Sequence, residues 1–301
     1  MTEQHHHHNH NHSHNHQVTG NIKIAFFLNF GFAILEIFGG LWTNSLAIIS
    51  DAVHDLGDSL ALGLAWYLEK ASNKKGNQIF SYGYRRLSLL AALINTLILL
   101  AGSLYVIVKA IPRLINPEQT NAQGMILFAV LGIAVNGLAM LKVFNQNSIN
   151  ARTVAWHLLE DLLGWIAVLI VSIVLLFSDL YILDPILSIL IALYVLYSAV
   201  FNLRKTAMLF LQAVPENINI EKLKKRIIAL EKVDSIHHTH VWSLDGENHV
   251  LTTHVVVIND TSREEIKSIK NTVKNLGKNL NLEHITIEIE YVDEYCHMRR
   301  N

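Results

Sequence analysis

From Ile22 to Leu203 the chain alternates long apolar runs with short polar breaks, and the runs fall near Ile22–Trp42, Ser45–Tyr67, Leu87–Ala110, Met125–Val143, Val154–Phe177 and Leu180–Leu203. Each is about 20 residues long, the length at which a helix crosses the hydrocarbon core of a bilayer. After Lys205 the pattern becomes that of a water-soluble fold. Ile220, Leu223, Ile227 and Leu230 are spaced as one face of an amphipathic helix. Ser235–Leu244 and His249–Ile258 are β-branched runs joined through Asp245-Gly246, a hairpin signal. Ser262 with Glu265 forms a capping box opening a helix that Gly277 is expected to end, and Ile285–Tyr291 alternates as a third strand. The pattern predicts an all-α six-helix transmembrane bundle over 21–205, then a small α+β domain over 206–301.

Composition agrees with a polytopic membrane protein: of 301 residues, 51% are hydrophobic and 16% charged, so few charges interrupt the apolar runs. The formal charge of -1 argues against nucleic acid as a partner, since a phosphate footprint needs clustered cations. Cys296 is the single cysteine, which excludes an internal disulfide. The N-terminus lacks the basic, apolar, small-residue order of a cleavable signal, so the first run is expected to stay in the bilayer. Cations follow the even runs (Lys70, Lys74, Lys75, Arg85, Arg86; Lys142, Arg152; Arg204, Lys205), while the other side is cation-poor with Arg113 as the exception. That asymmetry puts both termini and the even loops in the cytoplasm. Gly31, Gly39, Gly40, Gly132 and Gly137 are expected to allow close helix packing. Residues 1–20 are a disordered tail by composition, holding eight of the 17 histidines from His5 to His16. Neutral imidazoles in such a tract bind divalent metals weakly; an inert solvated tail is the alternative.

The chemistry lies where polar residues enter the apolar runs. Ser50-Asp51-Ala52-Val53-His54-Asp55-Leu56-Gly57-Asp58 puts an imidazole and carboxylates inside the second run, and Ala155-Trp156-His157-Leu158-Leu159-Glu160-Asp161 repeats the His-x-x-x-Asp spacing in the fifth. Ionisable groups in a span are costly and mark an ion pathway. Residues four apart share a helix face, so each pair offers one nitrogen and one oxygen ligand together. His54, Asp58, His157 and Asp161 make a two-nitrogen, two-oxygen set that suits tetrahedral Zn²⁺; Mg²⁺, Ca²⁺ and Mn²⁺ favour all-oxygen sites. Asp51 shares the face of Asp58 and either lines the approach to the site or orients a ligand. Asp55 and Glu160 point elsewhere and are expected in contacts between helices, and Glu36 either lines the cavity or bonds to another helix.

These stretches, with Ser45-Leu46-Ala47, Tyr82-Gly83-Tyr84-Arg85-Arg86 and His240-Val241-Trp242-Ser243-Leu244, resemble the cation diffusion facilitator family of zinc-transporting type over nearly the whole chain. The resemblance implies a homodimer in the cell (inner) membrane, six spans per subunit, a ferredoxin-like cytoplasmic domain, and Zn²⁺ export driven by protons. Cd²⁺ or Co²⁺ would be further substrates. It assigns the transport site to His54, Asp58, His157 and Asp161, and a cytoplasmic metal site to His237, His254 and Glu290, with His238 or Glu288 as substitutes. Strand alternation would send His237 to the face opposite His238 and His240. Glu294, Cys296 and His297 offer further donors, but a frayed tail is the expectation there. The chain departs from the family pattern at Ser88, where a Glu is common. No metal is expected in the Asn73–Gln78 loop, which has no His, Asp or Glu. Two rival readings stay open: a membrane metal sensor without transport, and an intramembrane zinc hydrolase with Glu160 as base. The hydrolase lacks a His-Glu-x-x-His stretch.

Overall fold

The computed structural model describes residues 13–72, 76–144 and 149–296. It divides into two compact units, residues up to 67 with 94–203, and 68–93 with 204–301. Six helices run through the first part of the chain: α1 (Ser13–Thr43), α2 (Leu46–Ser72), α3 (Leu87–Ile115), α4 (Ala122–Phe144), α5 (Ile149–Phe177) and α6 (Leu183–Phe210). Among the described residues, α1, α3, α4, α5 and α6 are long and apolar enough to cross a membrane. Helix α2 is not among these five, because Asp51, Asp55 and Asp58 interrupt it. Helix α1 begins at Ser13, inside the stretch expected to be a disordered tail, and the histidines from His5 to His12 lie outside the described residues.

The first unit is held at one end by a tight turn and a buried carboxylate. Asn44 joins α1 to α2 with φ of 56°, the left-handed conformation that asparagine tolerates better than most residues. Arg113, the cation out of place on the cation-poor side, grips that turn: its guanidinium donates to the Asn44 carbonyl at 2.9 Å and side-chain oxygen at 2.6 Å, and pairs with Glu118 at 2.6 Å. Its position is therefore set by a structural contact. Asp184 of α6 reaches the first turn of α2 and accepts from Ser45 Oγ at 2.5 Å, Leu46 N at 2.8 Å and Ala47 N at 3.3 Å. A fully buried carboxylate thus satisfies donors that a helix start leaves unpaired, and its charge complements the positive end of the helix dipole.

Small residues set how closely these helices approach. A Cβ on Gly39 would lie 2.4 Å from Phe128, and one on Gly132 would lie 2.2 Å from the ring of Trp165. Gly31 has nothing within 4 Å and Gly137 only an ordinary contact, so two of the five glycines singled out by sequence serve no close approach. Trp165 is fully buried among Ile48, Met125, Ala129 and Val168. A Gly132→Ala substitution is expected to destabilise the helical unit by about 2 kcal/mol through overpacking, read as a lowered unfolding temperature of the detergent-solubilised protein. Many large apolar side chains on the outer helix surfaces are exposed, including Phe38, Leu104, Ile170 and Tyr197, as a lipid-facing surface requires.

In the second unit α7 (Ile220–Ile228), β1 (Val233–Ser243), β2 (His249–Val257), α8 (Arg263–Lys278) and β3 (Leu282–Tyr291) follow one another. The sheet order is β1-β2-β3, with β1 antiparallel and β3 parallel to β2. Leu223 and Ile227 of α7 and Ile269 and Val273 of α8 pack with Val241, Leu251, Val255 and Val257, so both helices cover one sheet face. Each such buried aliphatic stabilises the domain by about 2 kcal/mol. The capping box of α8 is present, with Ser262 N donating to Glu265 Oε2 at 2.7 Å and Glu265 N to Ser262 Oγ at 3.3 Å. Gly277 does not end this helix, which continues to Lys278; a Cβ there would come within 2.5 Å of Ile285, so the glycine admits β3 instead. In the Tyr82–Arg86 stretch, Arg85 makes a two-pronged bond to Glu283, one arm at 2.9 Å to Oε1 and the other to Oε2, and the Tyr82 ring meets His284 at 5.1 Å. The preceding loop, expected to hold no metal, is described only from Gly76, and Asn73–Lys75 lie outside the described residues.

Candidate functional site

Two clusters of nitrogen and oxygen donors form, one in each unit. In the helical unit, α2 and α5 turn their His-x-x-x-Asp faces toward each other. His157 Nε2 lies 2.8 Å from Asp58 Oδ2, and His54 Nε2 lies 3.7 Å from both Asp58 Oδ2 and Asp161 Oδ1. Asp161 Oδ2 is 3.8 Å from His157 Nε2, and the two imidazole centroids are 5.7 Å apart. The donor atoms of His54, Asp58 and His157 all lie within 4.8 Å of one another, and Asp161 closes the group from the buried side at 8% exposure. The helical repeat supplies each pair, and the crossing of α2 with α5 brings the pairs together. Two imidazoles and two carboxylates form a donor set for a borderline divalent ion.

More carboxylates surround this group than the ligand set needs. Asp51 and Asp55 are buried and Glu36 is fully buried, and all three interact electrostatically with Asp161. Asp51 faces α5 at Gly164, where a Cβ would lie 3.6 Å from its carboxylate. Glu36 of α1 interacts electrostatically with Asp55 of α2. Glu160 is exposed and faces the Tyr194 hydroxyl of α6.

The second cluster lies on the sheet face that α7 and α8 leave uncovered. Antiparallel pairing sets His237 opposite His254, and parallel pairing sets His254 beside Glu288, so register alone puts these side chains on one face. Glu290, two residues beyond Glu288, shares that face. Its carboxylate lies between the two imidazoles, with Oε1 at 2.6 Å from His254 Nδ1 and Oε2 at 3.1 Å from His237 Nε2. His254 Nε2 in turn meets Glu288 at 3.3 Å. Burial alone would raise the pKa of Glu290, but hydrogen bonds from His254 and Cys296 and the charges of His237 and His254 outweigh it. The carboxyl is held below its usual value and so stays ionised, the form that binds metal.

Two expectations are corrected here. Strict alternation would send His238 away from His237, but the ladder has a bulge between His237 and His240, and His238 takes a positive φ of 46°. Its ring therefore lies 5.4 Å from His237 and 5.3 Å from His254. The expected frayed tail is also absent as far as Cys296, which is buried with Sγ 3.6 Å from His254 Nδ1. Donor atoms of His237, His254, Glu290 and Cys296 lie within 4.8 Å of one another. His297 lies outside the described residues. The sequence signal for Cys296 is weak, a lone thiol five residues past the third strand.

Residues 22–211 match the family model of the cation efflux transmembrane domain, and residues 215–292 that of the cation efflux protein cytoplasmic domain. The chain is 33% identical over 274 residues to a cadmium, cobalt and zinc/H(+)-K(+) antiporter of Bacillus subtilis, covering 89% of this chain and 88% of that protein. It is 32% identical over 277 residues to the zinc transporter ZitB of Escherichia coli, covering 91% and 87%. Among solved structures it matches the metal-bound C-terminal domain of the CzcD transporter of Cupriavidus metallidurans, 27% identical over 24% of this chain and 99% of that one, with a TM-score of 0.22. With a family model spanning well over half of its length and relatives alike along nearly all of it, the chain is an integral membrane protein and belongs to the cation efflux, or cation diffusion facilitator, family.

Proposed function

We propose that this protein is a proton-coupled antiporter exporting Zn²⁺, with Cd²⁺ and Co²⁺ as further substrates, from the cytoplasm by alternating access through His54, Asp58, His157 and Asp161. The observation that carries this reading is the convergence of both His-x-x-x-Asp pairs between α2 and α5. Zn²⁺ is the cargo, and the two-imidazole, two-carboxylate set favours it over Mn²⁺. Relatives named as zinc transporters and as an antiporter support the class. In this reading α2 is the sixth span, with its carboxylates turned inward, both termini are cytoplasmic, and the protein works as a homodimer in the cell membrane. Asp51 tunes the approach to the site, and the His237, His254 and Glu290 cluster is a regulatory metal site whose donor set suits the same ions.

Coupling follows from shared atoms. His157 Nε2 and Asp58 Oδ2 lie 2.8 Å apart, close enough for the pair to hold one proton between them. Those same atoms ligate the metal, so proton and metal exclude each other. Metal binding from the cytoplasm expels protons, and protons arriving from the other side displace the metal. No separate relay is needed for exchange at the site itself.

The test is flux into liposomes holding the full-length protein. An imposed pH gradient is expected to drive zinc well ahead of manganese, and lowering pH is expected to weaken zinc binding by about tenfold per unit for each proton displaced. Zinc flux indifferent to the gradient would refute coupling, and manganese in preference to zinc would refute the ligand argument. Binding without flux would favour a membrane metal sensor.

A further inference from the structure

We propose that Cys296 is the fourth ligand of the sheet-face cluster, making it a closed site of two imidazoles, one carboxylate and one thiolate that selects zinc and cadmium. The proposal rests on reading His237, His254 and Glu290 as a metal site, and it adds the ligand that determines which metal is held.

The cysteine is carried into place by a local device. After β3 the chain reverses in a turn closed from both sides, with Glu294 N donating to the Tyr291 carbonyl at 2.9 Å and Tyr291 N donating to Glu294 Oε2 at 2.8 Å. Without that turn Val292–Cys296 would run on past the strand end. With it, Cys296 returns beside Glu290 and is 8% exposed, although the described chain stops at this residue. Its sulfur lies 3.6 Å from His254 Nδ1, and its thiol bonds to the Glu290 carboxylate. One sulfur, two nitrogens and an oxygen within 4.8 Å of one another meet the four-donor requirement of a tetrahedral ion.

The orientation of His254 agrees. Its Nδ1 faces Glu290 and Cys296, and its Nε2 faces Glu288 at 3.3 Å. An Nε2–H donated to Glu288 leaves the Nδ1 lone pair for a metal, the usual arrangement of a ligating histidine with an outer carboxylate. His238 is the rival for the fourth position, since its ring is 5.3 Å from His254. Yet its imidazole would leave a donor set without sulfur, with a weaker preference for the softer ions. A thiolate gives that preference, because sulfur favours zinc and cadmium over manganese and magnesium, and a coordinating thiol gives up its proton.

The chain has one cysteine, and the histidine tract and the helical site contain no thiol, so a thiolate-specific signal reports on Cys296 alone. Full-length protein in detergent, kept reduced, is titrated with Co²⁺ and read for the sulfur-to-cobalt charge-transfer band in the near ultraviolet. We expect the band in the wild type and in His157→Ala, and its loss in Cys296→Ser and in His254→Ala. Cadmium affinity of the cluster in Cys296→Ser is expected to fall at least about tenfold, the loss that even an outer partner of a ligand produces. Cobalt bound at a site lost in His254→Ala, but with no such band in the wild type, would overturn the role of Cys296 and leave the three-ligand reading standing. Cobalt uptake unaffected by His254→Ala, with no band, would overturn both. A fall in affinity for His238→Ala with none for Cys296→Ser would give the fourth position to His238.

Discussion

Asp161→Ala is expected to abolish proton-driven zinc flux in liposomes, by on the order of a hundredfold or more, while leaving the protein at least as stable as the wild type. The two halves of this expectation come from the same surroundings. Asp161 is the most buried of the four donors, and its two oxygens lie 3.7 and 3.8 Å from the imidazoles of His54 and His157. Without it the remaining donors cannot fill a tetrahedral shell. Yet Asp161 is itself a buried carboxyl set among the buried Glu36, Asp51 and Asp55, so its removal takes one costly polar group out of the interior. Flux and unfolding temperature measured on one preparation separate the two effects. Substantial flux in Asp161→Ala would remove this residue from the transport site. Asp161→Asn keeps the shape but offers a neutral amide oxygen, and flux is expected to be lost there too.

Asp184→Ala should give the largest loss of stability in the helical unit, about 3 kcal/mol, read as a marked fall in unfolding temperature in detergent. The carboxylate accepts from Ser45 Oγ, Leu46 N and Ala47 N in a place closed to water. Truncation leaves buried donors without an acceptor, and each such loss costs more than an ordinary hydrogen bond contributes. Asp184→Asn keeps an acceptor oxygen and should show a smaller fall. Because α2 carries His54 and Asp58, loosening its first turn should lower flux as well. An unchanged unfolding temperature in Asp184→Ala would mean that other groups hold the start of α2.

The contrast between these two aspartates shows how far a sequence can be read. Asp161 stands out because it repeats, with His157, the spacing of His54 and Asp58 inside an apolar run. Asp184 has no such pattern; it falls at a helix start and reads as an ordinary first-turn acid. Its role depends on Ser45, which is 139 positions away in the chain and adjacent only in the fold. Arg113 looks like a breach of the charge asymmetry until Asn44 is seen in its grip. Of the glycines, Gly132 and Gly137 look alike in sequence, and only the position of Trp165 distinguishes them.

What the sequence determined by itself is what local periodicity carries: the long apolar helices, the helix-strand order of the C-terminal unit, the hairpin at Asp245-Gly246, and the shared face of each histidine and aspartate pair. These follow from the 3.6-residue and two-residue repeats, which act within a few positions. Only the tertiary structure decided that α2 and α5 present those faces to each other, that a bulge turns His238 toward His237 and His254, and that the tail folds Cys296 back against Glu290. Each of these depends on chain segments far apart in sequence, or on a break in the repeat itself. Convergence of donors in space is a property of packing, and no spacing along the chain encodes it.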